Sequence, residues 1–153
     1  PEAQMDRFAL QLGLGYLPPE EETAVLAAQV REKPLERLEP CAPLEDVLRL
    51  RRAVLEVRVS DEIRRYIVDL VGATRQTPGV RLGASPRASL TLMKASQALA
   101  LADGMEWVLP DHVQELAVAA LADRLVLDPQ AQFSGQSPRR VVEEILRRVP
   151  VPA

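Results

Sequence analysis

The chain is 153 residues long, 47% hydrophobic and 27% charged, with 19 basic residues against 22 acidic ones and a formal net charge of −3. That suits one ordinary domain with a real core and excludes a disordered chain. Without an apolar run of about 20 residues or a signal-peptide pattern, the chain reads as soluble and cytoplasmic, with no membrane insertion. An acidic balance with 3% aromatics argues against a nucleic-acid-binding domain, and a single cysteine, Cys41, rules out an internal disulfide or a multi-cysteine zinc site.

Taken in chain order, Arg7 to Tyr16 alternates apolar Phe8, Leu10, Leu12 and Leu14 with Ala9, Gln11 and Gly13, the period of a strand. No clear partner strand follows, so this segment is expected to be an arm left over from a sheet. After Leu17-Pro18-Pro19, the acidic turn Glu20–Glu22 opens a helix expected to fade by Glu32. Prolines 34, 40 and 43 then mark a surface connection, and Leu44 to Leu55 reads as helical.

Ser60 is a natural N-cap for the clearest amphipathic helix, with Ile63, Tyr66, Ile67, Leu70 and Val71 on one face. A Pro/Gly-containing loop, 76–83, leads to SPRASLTLMKASQALALADG. Ser85 can cap it, Pro86 suits the first helical position, and Gly104 stops it. Apolar residues nearly all the way round predict that this helix is the buried centre. Trp107 and Val108 sit in a short turn before a helix with Val113, Leu116, Ala117, Ala120 and Leu121 facing inward. A polar stretch, 128–136, precedes SPRRVVEEILRRV, where i,i+4 spacing predicts Arg139–Glu143, Glu143–Arg147 and Glu144–Arg148 pairs.

No catalytic constellation is complete. Lysine occurs only at 33 and 94, neither after a glycine, so the phosphate-cradling GxxxxGK[ST] loop is absent. Gly83-Ala84-Ser85-Pro86-Arg87 begins like a nucleophile elbow but lacks its closing glycine, leaving Ser85 as a helix cap. His112 and Glu115 are only two ligands where a metal needs three or four, and no metal site is expected. Arg87 lies in the first turn of its helix, at the positive end of the dipole, where it would be pointed toward an anion. Arg7, beside Asp6, is an ordinary ion-pair candidate.

Three stretches nevertheless carry a family pattern: PEAQMDRF; RRYIVDLVGATR followed by LGASPRASLTLMKASQALALADG; and WVLPDHVQELAVAALADRLVL. In this order and spacing the chain resembles the C-terminal part of MoxR-family AAA+ ATPases. The resemblance implies a mainly α fold, a helical lid (residues 19–153) behind a short remnant of the α/β core (residues 1–18). It makes Arg7 the arginine finger, acting in trans, Arg87 the sensor 2 arginine on the ATP phosphates, and Ser85 part of the same nucleotide-binding edge. ATP and Mg2+ would be used by the full-length protein, in a ring expected to have six members, while this chain, without Walker A or Walker B, should be inactive by itself. Expected partners are copies of itself and a client such as a von Willebrand factor A domain protein. Met105, His112 and Ala122-Asp123-Arg124 depart from the usual family residues. A non-enzymatic helical adaptor is the alternative.

Overall fold

A computed structural model describes residues 2–30 and 33–152. Pro1, Arg31, Glu32 and Ala153 lie outside the described residues, and with them the predicted helix end at Glu32 and the first residue of the PEAQMDRF stretch. The elements in order are helices α1 (Glu2–Met5), α2 (Pro19–Gln29), α3 (Leu44–Glu56) and α4 (Asp61–Gln76), strand β1 (Val80–Leu82), helices α5 (Pro86–Ala102) and α6 (Pro110–Leu121), strand β2 (Val126–Leu127), and helices α7 (Pro129–Phe133) and α8 (Pro138–Arg148). Short 3-10 turns occupy Pro34–Arg37 and Ala122–Arg124.

The chain divides into two compact units, residues 1–11 with 51–153, and residues 12–50. In the smaller unit no described side chain is buried, and Leu14, Tyr16, Leu26, Val30, Leu35 and Cys41 are all exposed. Its helix α2 follows from the proline at its first position and the three glutamates of its first turn.

The larger unit holds the core. Helices α4, α5, α6 and α8 pack on one another through Leu70, Val71, Leu92, Val113, Leu121, Val141, Val142 and Ile145, each at most 1% exposed. Burying such a side chain contributes about 1.5–3 kcal/mol, so each of these eight positions contributes substantially to the stability of the unit. Serines cap three of the four helices. Ser60 accepts from the Ile63 N–H, Ser85 from Arg87, and Ser137 from Arg140. The Ser60 hydroxyl beside Glu62 also holds that carboxyl below its ordinary pKa. Helix α6 is closed differently, with the Leu109 N–H donating to His112 Nδ1 at 3.0 Å while His112 Nε2 faces Asp103 at 3.4 Å.

Several expectations need correction. Helix α5 is one-sided: Ala88, Leu92, Ser96, Gln97 and Ala100 are buried, whereas Leu90 and Ala98 are exposed. Small residues on its inner face, Ala88, Ser96 and Ala100, let α4 and α6 approach, and Leu90 stays outside. Residues 80–82, read as loop, form β1 and pair antiparallel with β2, Val80 opposite Leu127 and Leu82 opposite Val126. The alternating segment from Arg7 to Tyr16 joins no strand ladder. It is held instead by the Gln11 N–H donating to the Ala119 carbonyl at 2.9 Å and by Arg124, whose guanidinium reaches the Phe8 and Ala9 carbonyls. Of the three ion pairs expected on α8, Arg139–Glu143 forms at 3.0 Å; the other two do not, and Arg148 reaches toward the Thr77 hydroxyl at 3.5 Å instead.

Candidate functional site

The site is assembled where β1 runs into α5. Gly83 passes so close to α4 that a Cβ there would lie 2.8 Å from the N, Cα and Cγ of Arg75. Only glycine permits that approach. The next residue is then fastened at both backbone groups: the Ala84 N–H donates to Thr74 Oγ1 at 3.0 Å, and the Ala84 carbonyl accepts from Arg75 Nε at 2.8 Å. Thr74, fully buried, donates its own hydroxyl hydrogen bond to the Val71 carbonyl at 2.6 Å. Two consecutive residues of α4 therefore determine where Ser85 and Arg87 emerge.

Ser85 has the extended backbone of an N-cap (φ −77°, ψ 168°) and accepts from the Arg87 N–H at 3.2 Å. Its hydroxyl donates to the Asp6 carboxylate at 2.9 Å and 3.1 Å. This hydrogen bond joins the two stretches that the family resemblance singles out. Arg7 follows Asp6 and Arg87 lies two residues beyond Ser85, so both candidate arginines flank one contact. Both are exposed, and neither guanidinium makes a hydrogen bond or ion pair with another described residue. An uncommitted guanidinium is a planar donor fork suited to phosphate oxygens.

Asp6 does not pair with its neighbour Arg7, as its sequence position suggests. Its partner is Arg124, whose Nε lies 3.2 Å away and whose side chain is 4% exposed. The same guanidinium donates to the carbonyls of Phe8 and Ala120, and lies 3.4 Å from those of Asp6 and Ala9. The sequence marks Arg124 only as part of a departure from the family pattern and gives it no site role. The available signal was an arginine inside LADRLVL, where its apolar neighbours Leu121, Leu125 and Leu127 are all buried.

A groove of about 520 Å³ between α4 and α5 begins beside this site, lined by Ile67, Val68, Gly72, Pro86, Leu90 and Met93, with Arg64 and Arg75 also on its wall. No helix among the described residues is long and apolar enough to cross a membrane.

Residues 72–145 match the AAA lid domain family. Across 99% of its length the chain is 47% identical to YeaC of Bacillus subtilis and 34% identical to the chaperone MoxR1 of Mycobacterium tuberculosis. A crystal structure of a candidate ATPase from Cytophaga hutchinsonii superposes on the whole chain with a TM-score of 0.85 at 30% identity. The chain covers 48% of YeaC, 42% of MoxR1 and 49% of the Cytophaga protein, so it spans about half the length of these relatives. The chain thus carries a match to the helical AAA lid over residues 72–145 and is similar, across nearly its whole length, to part of the MoxR1 chaperone and of an ATPase-type structure.

Proposed function

We propose that this chain is the lid region, residues 19–153, with the closing segment of the ATPase core, residues 1–18, of a ring-forming ATP hydrolase that remodels or matures client proteins. The observation that carries the reading is the Ser85–Asp6 hydrogen bond, which holds Arg7 and Arg87 on either side of one contact while leaving both guanidiniums open. Exposed arginines, one of them in the first turn of a 17-residue helix, fit a polyphosphate. ATP with Mg2+ would supply the transferable γ-phosphoryl group and the metal's charge neutralisation.

The chain's own residues then have separate tasks. Arg7 serves as the arginine finger, donating to the phosphates of a neighbouring subunit and stabilising charge that develops in transfer. Arg87 reads the phosphates as the sensor 2 residue. Ser85 holds the helix end that carries Arg87 and ties it to Asp6. Because the finger acts in trans, turnover depends on ring assembly, for which six subunits is the proposed number. The client side is a protein partner, a von Willebrand factor A domain protein being one candidate, and the machine works in the cytoplasm.

In the complete ATPase, Arg7→Ala should lower kcat by about 10³ or more with assembly intact, as trans-acting arginines do. Arg87→Ala should also abolish most turnover, and the 153-residue chain alone should hydrolyse no ATP. Full turnover in either variant, or hydrolysis by the isolated chain, refutes the assignment. The second reading, a helical adaptor without nucleotide function, is favoured by the apolar groove where Val68 and Leu90 stand more than half exposed. It predicts partner binding that is insensitive to Arg87→Ala and lost on Leu90→Asp.

A further inference from the structure

We infer that Arg124 is a positioning residue for Arg7, a buried latch that fixes the finger-bearing turn to the lid. The inference rests on the reading of Arg7 as the finger. Arg124 stands at the end of the turn that follows α6, 117 positions after Arg7 in sequence. Its guanidinium is enclosed, and its contacts lie on both sides of Arg7: the carboxylate and carbonyl of Asp6 before it, the carbonyls of Phe8 and Ala9 after it. Ala120 adds a fifth acceptor from α6 itself.

The chemistry suits this task. A guanidinium cannot be deprotonated in a protein and offers five donors in a rigid plane, which is what a turn of converging carbonyls needs. Burying the charge is tolerable because a carboxylate and several carbonyls surround it. Arg7, with neither neighbour able to move, keeps its side chain on the outside. Asp6 makes the latch a junction, since it accepts from Arg124 and from the Ser85 cap together. A displacement of the lid is thus passed to Arg7 through Arg124 and to Arg87 through Ser85. Lysine at 124 would keep one charge near Asp6 but lose the fork that spans Phe8 and Ala9.

The test is a double-mutant cycle in the complete ATPase with Arg124→Lys and Arg7→Ala. Arg124→Lys should lower kcat by roughly 10- to 100-fold, the size of effect that follows from misplacing a catalytic group by about 1 Å. KM for ATP should stay within about twofold, and in the Arg7→Ala background Arg124→Lys should cause no further loss. Multiplicative losses, or an unchanged kcat in Arg124→Lys, overturn the inference. Unchanged kcat in Arg7→Ala overturns the finger reading itself. Asp6→Asn serves as a second variant if Arg124→Lys assembles poorly, with the same non-additivity expected. In parallel, amide exchange at Gln11, bonded to Ala119, should accelerate in Arg124→Lys of the 153-residue chain while exchange in α4 does not. Unchanged exchange at Gln11 removes the latch.

Discussion

Replacing Gly83 by alanine tests how firmly the candidate site is built. The new methyl carbon would sit 2.8 Å from the N, Cα and Cγ of Arg75. An ordinary carbon contact needs about 3.5–4.0 Å, so roughly 0.7 Å of separation has to be found. Two of the three atoms are helix backbone in α4, whose neighbours Val71 and Thr74 are fully buried, so α4 cannot give way. The loop must move, and with it the Ala84 bonds to Thr74 and Arg75 at 3.0 and 2.8 Å. Overpacking of this kind costs about 1–3 kcal/mol, and stretching one of the two Ala84 bonds adds about 1 kcal/mol. Gly83→Ala should therefore lower unfolding stability by about 2–4 kcal/mol, read from urea denaturation of the 153-residue chain with m unchanged. A loss under 0.5 kcal/mol would show that the approach of the loop to α4 is not as tight as described, and the account of how Arg87 is placed would fall with it.

Thr74→Val keeps the shape of the buried side chain but removes the acceptor of the Ala84 N–H, and should cost about 1–3 kcal/mol in the same denaturation assay. Thr74→Ser should recover most of that loss. Ser96, on the inner face of α5, has a buried hydroxyl with no hydrogen-bond partner among the described residues. Ser96→Ala should accordingly raise stability by about 1 kcal/mol, seen as a higher Tm. A lowered Tm would mean that the hydroxyl is satisfied after all.

The helices were legible because their signals are local. Ser60, Ser85 and Ser137 each precede a run whose apolar residues recur at helical spacing, and each acts as the cap. The inner face of α4 was readable residue by residue, with Ile63, Tyr66, Ile67, Leu70 and Val71 all buried. Strands β1 and β2, three and two residues long, are too short to show a period. The burial of α5 misled for a related reason, since Ala and Ser at the interface contribute little to an apolar count while exposed Leu90 contributes much. At the site, family resemblance could point to Arg7, Ser85 and Arg87, yet no spacing rule ties Asp6 to Ser85 or Arg124, which are 79 and 118 positions away. Such contacts come from topology, which a single sequence does not display.

The distance along the chain between Asp6 and Arg124 also bears on how the molecule is made. Closing a loop of 118 residues carries an entropic cost of about 4 kcal/mol beyond a constant, and it is recovered only when both ends can dock. At 5–20 residues per second, a ribosome needs roughly 6 to 24 s to go from one partner to the other. Throughout that interval Asp6, Phe8 and Ala9 have been synthesised but their anchor has not. The turn that carries Arg7 should therefore be among the last parts of the larger unit to settle, after α4, α5 and α6 have packed. Under the proposed role of Arg7, a subunit would become competent to complete a neighbour's site only once its own fold is finished.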